Sequence, residues 1–243
     1  MATQVFCNAG VGQQRPGAGC YSPQPMKLLR RLRRLFEPNP NRFLRETRGV
    51  VHVGANVGQE RALYARHGLD VLWVEPIPEV FARLRANLRD YPRQRALEAL
   101  VTDCDGAEYT FNLANNDGES SSILALKQHR DVYPTVVYTG SIRLEGVTLP
   151  TLCAREHVDL ARYDSLVLDT QGSELLVLRG AESLLDQFRF IKTEVPDFEA
   201  YEGCAQLADL DAYLRGHGFT EWSRHPFATH KGGGRYYDIV YRR

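Results

Sequence analysis

The residues with the clearest chemical pattern form a glycine turn that follows a short apolar segment. Residues 50–53 read Val-Val-His-Val and run directly into Gly54, with Asn56 and Gly58 close behind. Glycines let a backbone approach a ligand closely, and the helix expected next would offer unpaired N–H donors at its start. We therefore predict a ligand-binding crevice at this strand end, in which His52, Gly54, Asn56 and Gly58 bind a cofactor.

Two acidic residues end the next two predicted strands. Glu75 stands where an acid commonly accepts hydrogen bonds from the hydroxyls of a ribose. Asp103 would face the same crevice and could bind an adenine amino group, although a solvated loop acid explains Asp103 equally well. The turn and Glu75 together predict a cofactor that contains a nucleoside. Because Gly54 and Gly58 do not form the pattern G-x-G-x-x-G, a nicotinamide dinucleotide is less well supported.

A second pair of acids follows two later apolar segments. Asp169 ends the predicted strand 165–168, and Glu194 lies near the end of the strand 190–195. A carboxylate at a buried strand end beside a cofactor crevice is a candidate general base or metal ligand. Only these two oxygen ligands can be named, so we favour a base and expect no metal. Glu174, in the first turn of the next helix, is better explained as a partner for the helix dipole.

The histidines are scattered, and none forms a metal-binding pair at helical spacing. His129 follows a polar stretch, residues 120–122, and His230 precedes the last predicted strand in a glycine-rich segment. Either imidazole could reach a substrate, and we take His129 as a further catalytic candidate. The glycine run 232–234 is interpreted as a flexible loop, since no helix follows it to bind a phosphate.

Apolar segments alternate with helical patterns along most of the chain. Strands are predicted at 49–53, 71–74, 96–101, 165–168, 190–195, 219–222 and 236–241, and helices at 59–67, 77–89, 173–188 and 207–217. Such alternation is typical of parallel strands joined by helices. It predicts an α/β fold with a doubly wound, mostly parallel sheet of seven strands. Residues 104–149 break the rhythm with two β-rich segments and a turn, which we interpret as an insert over the mouth of the sheet.

The composition is that of an ordinary globular protein. Of the 243 residues, 43% are apolar and 25% are charged, which excludes collagen-like, coiled-coil and wholly disordered chains. Basic and acidic residues number 30 each, so a general nucleic-acid binder is disfavoured. No apolar run reaches the roughly 20 residues of a transmembrane helix. The cysteines form no C-x-x-C pair and no signal peptide is visible, so we expect a cytoplasmic protein in a reducing compartment.

The first 48 residues differ in composition from the rest. Residues 1–25 hold almost no apolar side chains, and we predict that they are disordered. Residues 26–48 contain eight basic and two acidic side chains, and the leucines of 26–36 share one helical face. We expect this basic helix and its linker to precede a domain of residues 49–243. Docking of the helix onto the domain is favoured over a peripheral membrane or protein contact.

Taken in order, these features resemble the FkbM family of methyltransferases. The resemblance is carried by Gly54-Ala55-Asn56-x-Gly58, Glu75-Pro76, Ser120-Ser121-Ser122, the pattern from Leu168 to Ala181, and Glu194 with Tyr201-Glu202-Gly203. It implies an S-adenosylmethionine-dependent O-methyltransferase on a Rossmann-like, seven-stranded α/β sheet. It also implies acceptors that carry a natural-product or sugar hydroxyl.

The resemblance assigns a role to most of the candidate residues. Four residues of the glycine turn and the polar stretch would line the cofactor: Gly54, Asn56, Gly58 and Ser121. Glu75 would bind the ribose, Asp103 would lie near the adenine, and Asp169 would face the methyl group. His52 stands where the family usually has an Asp at the amino-acid end of the cofactor, and Gln171 stands where Glu is common.

The expected reaction is methyl transfer from S-adenosylmethionine to a hydroxyl of a sugar, glycan or natural product. A nucleotide-sugar oxidoreductase or epimerase is the rival enzyme, but the chain lacks both G-x-G-x-x-G and a Tyr-x-x-x-Lys pair. A non-catalytic cofactor-binding module is the other alternative. His52 favours that module, whereas Glu75 and Asp169 argue against it.

Overall fold

The computed structural model describes residues 40–243 of the chain. The segment predicted to be disordered, 1–25, and the predicted basic helix, 26–36, lie outside the described residues. None of the helices in residues 40–243 is long and apolar enough to cross a membrane.

Most of the described chain folds around one sheet of seven strands, with a smaller sheet of three beside it. The strands are β1 (Gly49–Val53), β2 (Asp70–Glu75), β3 (Gln94–Glu98), β4 (Leu100–Val101), β5 (Glu108–Ala114), β6 (Tyr138–Val147), β7 (Ser165–Leu168), β8 (Phe190–Pro196), β9 (Thr220–Thr229) and β10 (Arg235–Arg242). The large sheet has the order β3-β2-β1-β7-β8-β10-β9. Its first five strands are parallel, and β10 is antiparallel to both β8 and β9. The predicted mostly parallel, seven-stranded α/β sheet is confirmed.

Helices connect the parallel strands and cover the sheet. The α-helices of the described part are α1 (Arg61–Arg66), α2 (Pro78–Asn87), α3 (His129–Val132), α4 (Leu149–Arg155), α5 (Glu174–Gly180) and α6 (Leu207–Gly216). Strands β1 and β7 are buried along their whole length. Strands covered on both faces need nearly continuous apolar sequences, and these two read Gly-Val-Val-His-Val and Ser-Leu-Val-Leu. His52 is the one ionisable side chain in these two strands, and its burial in an otherwise apolar strand requires a structural reason.

The strand order reverses direction between β1 and β7. From β1 the chain moves outward to β2 and β3, and after the insert it returns to β7 on the other side of β1. In open α/β sheets, ligands bind outside the carboxyl ends of the strands at such a switch point. The residues that follow β1, β2 and β7 are therefore placed around one crevice.

The insert begins earlier than predicted. The segment 96–101 is not one strand, because β3 ends at Glu98 and β4 pairs with β6 in the smaller sheet. This smaller sheet has the order β4-β6-β5, with β5 and β6 antiparallel. The sequence showed one apolar run, and the change of pairing partner after Ala99 depends on tertiary contacts that periodicity does not report.

The domain also starts before residue 49, and its last hairpin is longer than predicted. Phe43 and Leu44 lie in a 3₁₀-helix, Arg42–Glu46, and are buried in the core with Val50 and Phe190. Strand β9 extends to Thr229, well past the predicted end at 222. The glycine run 232–234 forms the connection from β9 to β10.

Candidate active site

A cavity of about 370 Å³ opens at the carboxyl ends of β1, β2 and β7. Five of the predicted cofactor residues line it, namely His52, Gly54, Asn56, Glu75 and Ser121. The three predicted catalytic residues, His129, Asp169 and Glu194, line the same cavity. The structure therefore brings most of the residues chosen from sequence into one site.

Gly54 makes the closest backbone approach in the site. Its φ is +84°, and a Cβ built on it would lie 1.8 Å from the carbonyl oxygen of Asp169. No other residue fits where the turn after β1 passes the end of β7. Gly58, with φ +72°, does not line the cavity; a Cβ there would lie 2.8 Å from Leu84 Cδ1. Gly58 was predicted to contact the cofactor, but it packs the turn against α2 and lies outside the cavity wall.

The backbone N–H groups of the turn are already paired, contrary to our expectation. The N–H groups of Gly54 and Ala55 both donate to the carbonyl of Val74, and the N–H of Gly58 donates to the carbonyl of Ala55. Asn56 Oδ1 accepts the N–H of Val57 at 2.7 Å. Since these donors are satisfied within the protein, the turn is not a phosphate cradle of the kind that binds dinucleotides.

Glu75 is buried and holds the turn in place. Its two carboxylate oxygens accept backbone N–H groups, from Asn56 at 2.8 Å and from Ile77 at 3.0 Å. Burial raises the pKa of Glu75 to about 7, although both hydrogen bonds favour the charged form. Each carboxylate oxygen has a further lone pair. Glu75 can therefore still accept hydrogen bonds from a ligand in the cavity.

Replacing Glu75 with glutamine should weaken binding of S-adenosylmethionine by about 1–3 kcal/mol, because an amide would set N–H against a backbone N–H of the turn. In the wild type, affinity should also fall as the pH drops through about 7, where the Glu75 carboxylate becomes protonated. Calorimetry between pH 6 and pH 8.5 measures both effects. Glutamine does not titrate, so the variant should show less of this pH dependence. Equal affinity and an equal pH profile in the two proteins would show that the Glu75 carboxylate does not contribute to cofactor binding.

His52 is an uncharged member of the cavity wall. Its ring stacks on Trp73 with 4.8 Å between centroids, and its Nδ1 lies 3.2 Å from the Tyr64 hydroxyl. Burial, with a smaller contribution from the charge of Lys192, lowers the pKa of His52 to about 3. His52 therefore presents a neutral imidazole at the place where the resemblance implies a carboxylate.

The loop after β7 fixes the position of Asp169. Gln171, whose φ is +54°, donates from Nε2 to Asp169 Oδ1 at 2.5 Å and accepts from the Tyr201 hydroxyl at 2.7 Å. The Glu174 carboxylate accepts the N–H groups of Thr170 at 2.8 Å and Gly172 at 3.0 Å. Within the described part of the chain, Asp169 Oδ2 accepts no hydrogen bond, so this oxygen is available to a ligand.

Acidic groups dominate the end of the cavity near Asp169. Burial raises the pKa of Asp169, against the effect of the hydrogen bond from Gln171. Burial, followed by the negative charges of Asp169 and Asp238, raises the pKa of Glu194. The nearby Lys192 is paired with Asp238 at 2.7 Å. Carboxylates with raised pKa values are poised to accept protons near neutral pH.

His129 is linked to two hydroxyl groups that also line the cavity. Its Nε2 lies 3.1 Å from Ser120 Oγ, and its Nδ1 lies 2.6 Å from the Tyr236 hydroxyl. Burial lowers the pKa of His129 to about 4, so the imidazole is neutral at physiological pH. Ser121 Oγ accepts the backbone N–H of Ala114 at 2.9 Å and forms part of the wall.

Asp103 does not reach the cavity, and its predicted contact with an adenine is corrected. After β3 the chain enters the smaller sheet, where Leu100 and Val101 line the cavity. The chain then leaves the site, and Asp103 is exposed to solvent. The residues of this segment that line the cavity are Ala99, Leu100 and Val101.

Sequence reasoning missed the aromatic part of the wall. Tyr133, Phe227 and Tyr236 line the cavity, and the Phe227 and Tyr236 rings stack with 5.7 Å between centroids. Tyr236 and Tyr237 are neighbours on β10 and therefore point to opposite faces. Their sequence neighbourhood gave no sign of which one faces the site.

Acidic side chains outnumber basic ones in the described cavity wall. Five acids line it, namely Glu60, Glu75, Glu119, Asp169 and Glu194, and no lysine or arginine of residues 40–243 does so. Among these same residues, no cluster of three or more His, Cys, Asp or Glu is suited to hold a metal ion. Such a wall disfavours a pyrophosphate and favours a cationic ligand.

Comparison with known proteins bears directly on this site. Residues 52–221 match the family model described as the methyltransferase FkbM domain, a range that runs from the glycine turn to the start of β9. The chain belongs to the FkbM methyltransferase family. The matched segment is a methyltransferase domain. The nucleotide-sugar oxidoreductase or epimerase considered from sequence is therefore set aside.

Individual similar proteins share the methyltransferase description. The 2-O-methyltransferase NoeI of Sinorhizobium fredii (strain NBRC 101917 / NGR234) is 33% identical over 162 residues, 63% of this chain and 65% of that protein. The METTL16 methyltransferase domain has a TM-score of 0.47 at 12% identity, over 87% of this chain and 67% of that one. The 1,6-didemethyltoxoflavin-N1-methyltransferase of Burkholderia thailandensis has a TM-score of 0.43 at 13% identity, over 94% of this chain and 93% of that one.

Proposed function

We propose that this FkbM-family protein transfers a methyl group from S-adenosylmethionine to a hydroxyl of a sugar, glycan or natural-product acceptor. The observation that carries the proposal is the arrangement of acids in one cavity. Glu75 lies at the end beside the glycine turn, whereas Asp169 directly follows β7 and Glu194 lies near the end of β8. One end suits a nucleoside and the other suits a hydroxyl that must lose its proton.

The residues at the first end fit the cofactor. Glu75 keeps lone pairs for the ribose hydroxyls, and Ile77, Leu100 and Val101 provide an apolar surface for the adenine. When bound, S-adenosylmethionine supplies an electrophilic methyl group on a positively charged sulfur. The cavity acids complement that positive charge, and the paired N–H groups of the turn offer nothing to a pyrophosphate.

The residues at the second end fit a hydroxyl acceptor. Gln171 occupies Asp169 Oδ1 and leaves Oδ2 to take the proton of the acceptor hydroxyl. Glu194 provides a second carboxyl group there, and its raised pKa lets it share the proton. A fixed base contributes roughly 10²–10⁴ to the rate of such a reaction. Orientation of the hydroxyl by the cavity wall contributes the larger part. The relative named 2-O-methyltransferase NoeI supports oxygen as the accepting atom.

Ligand binding and methyl transfer together test this proposal. Calorimetry should show binding of S-adenosylmethionine and of its demethylated product S-adenosylhomocysteine, but not of NAD. Transfer of a radiolabelled methyl group should then occur to members of a panel of methyl glycosides, phenols and aliphatic alcohols. Tight NAD binding by the folded protein would overturn the cofactor assignment. Labelling of amine acceptors alone would overturn the hydroxyl assignment.

A further inference from the structure

A hydrogen-bonded chain of four side chains ends at the acceptor side of the cavity. It runs from Asn116 through Ser120 and His129 to Tyr236. All four residues line the cavity, while Ser120, His129 and Tyr236 are individually buried. The roles proposed above for the carboxylates do not use this chain.

The side-chain amide of Asn116 determines which atoms donate and which accept at one end of the hydrogen-bonded chain. Its Oδ1 accepts the backbone N–H of Ser120 at 3.2 Å, so its Nδ2 must be the group that lies 3.0 Å from Ser120 Oγ. Nδ2 can only donate, and Ser120 Oγ therefore accepts from Asn116. The hydroxyl hydrogen of Ser120 is then free for His129 Nε2 at 3.1 Å.

The tautomer of His129 then determines whether Tyr236 accepts or donates the hydrogen bond between them. A neutral imidazole has one donor and one acceptor nitrogen, so acceptance at Nε2 places the hydrogen on Nδ1. Nδ1–H then donates to the Tyr236 oxygen at 2.6 Å. In the opposite tautomer the hydroxyl hydrogen of buried Ser120 would have no acceptor in residues 40–243, which costs about 1–3 kcal/mol. The low pKa of His129 agrees with a neutral ring.

We propose that Tyr236 donates a hydrogen bond to an oxygen of the acceptor, and that the chain from Asn116 to His129 fixes this donor role. This inference rests on the proposed function, because it concerns the acceptor of that reaction. With its own oxygen occupied by His129, the Tyr236 hydroxyl has its hydrogen left for the cavity. The stacked ring of Phe227 restricts the Tyr236 ring on the other side.

The pairing of a donor with an acceptor selects a class of substrate. Asp169, as the base, accepts a hydrogen bond from the hydroxyl that is methylated, while Tyr236 donates one to a different oxygen. The acceptor must then carry a second oxygen near the hydroxyl that is methylated. Vicinal oxygens of a polyol or sugar ring meet this requirement, whereas a simple aliphatic alcohol does not.

The tautomer of His129 tests the direction of the chain without any turnover. Nitrogen NMR of the full-length protein labelled at histidine distinguishes the protonated from the unprotonated ring nitrogen, and His129→Asn identifies the signals. We expect hydrogen on Nδ1 in the wild type and no titration between pH 5.5 and pH 8. Ser120→Ala removes the donor to Nε2 and should shift the population toward hydrogen on Nε2. Hydrogen on Nε2 in the wild type would overturn the proposal.

Tyr236→Phe tests the contact with the acceptor. The probes are methyl hexopyranosides and their monodeoxy analogues, with S-adenosylmethionine as donor. The wild type should discriminate against one deoxy analogue by about tenfold, as expected for one hydrogen bond, and the variant should lose this discrimination. Its affinity for S-adenosylmethionine should not change.

Tyr237→Phe is the matched control, because Tyr237 lies on the opposite face and its hydroxyl binds Asp197 at 3.0 Å. The control should keep the wild-type discrimination. Unchanged discrimination in Tyr236→Phe would overturn the inference while leaving methyl transfer intact. If every hexopyranoside fails as a substrate despite normal binding of S-adenosylmethionine, the selection of sugar-like acceptors is wrong. Methyl transfer to the phenols and aliphatic alcohols of the panel would then show whether the protein methylates hydroxyl groups at all.

Discussion

Replacing Gly54 with alanine should abolish detectable binding of S-adenosylmethionine. The added Cβ would lie 1.8 Å from the carbonyl oxygen of Asp169, and the residue would keep an unfavourable φ of +84°. The turn after β1 must then move away from the end of β7, which separates the two halves of the cavity. We expect the free energy of unfolding to fall by about 3 kcal/mol, from strain and displaced backbone. Calorimetry and denaturant unfolding measure the two effects.

Gly106→Ala separates backbone strain from the steric clash. Gly106 has a similar φ of +76°, but a Cβ there meets no atom within 4 Å, and the residue does not line the cavity. This control should lose about 1–2 kcal/mol of stability and bind S-adenosylmethionine normally. If Gly54→Ala behaved like Gly106→Ala, the close approach of the two loops would not matter for the site.

Replacing Asp169 with asparagine should slow methyl transfer by about 10²–10⁴ while leaving the affinity for S-adenosylmethionine within a few-fold of wild type. Asparagine keeps the shape and can still accept the hydrogen bond from Gln171, but it cannot take a proton. Burial raises the pKa of Asp169, so the wild-type rate should decline on the acid side at a pH well above that of an ordinary aspartate. The variant should lose this decline. Single-turnover rates between pH 5 and pH 9 provide the measurement.

Treatment with a chelator distinguishes whether Asp169 acts as a general base or as a ligand of a metal ion. Oxygen ligands such as Asp169 and Glu194 suit hard cations, and a Mg²⁺-dependent reaction would stop with EDTA and recover with added metal. We expect no effect of EDTA on turnover. Asp169→Asn with a normal rate would remove Asp169 from the mechanism and leave Glu194 and His129 as the predicted catalytic residues to examine.

The parts of the site that follow from local sequence were predictable. Gly54 and Asp169 each follow an apolar strand and Glu75 ends another, so the succession of apolar runs and helical patterns predicted that they meet at one edge of the sheet. The order of the motifs also identified the family. Short continuous apolar runs carry this information because strands covered on both faces of a parallel sheet need them.

The remaining parts depend on contacts between distant segments. Asp103 was misplaced because β4 pairs with β6 and not with the large sheet. The N–H groups of the glycine turn were expected to be free, yet Val74, Ala55 and neighbouring side chains accept them. Tyr236 is 107 positions from His129 in sequence, and no spacing rule connects them. Pairings of this kind are set by tertiary structure, which a single sequence pattern does not encode.

The last hairpin places part of the cavity wall outside the segment that matches the family model. The glycine turn and Glu75 lie within the family match, which ends at residue 221, whereas Phe227 and Tyr236 lie beyond it on β9 and β10. The proposed contact of Tyr236 with the acceptor therefore belongs to a part of the chain that the family model does not describe. Grafting a β9–β10 hairpin from another family member would be a direct route to a new acceptor preference with the methyl-donor site preserved.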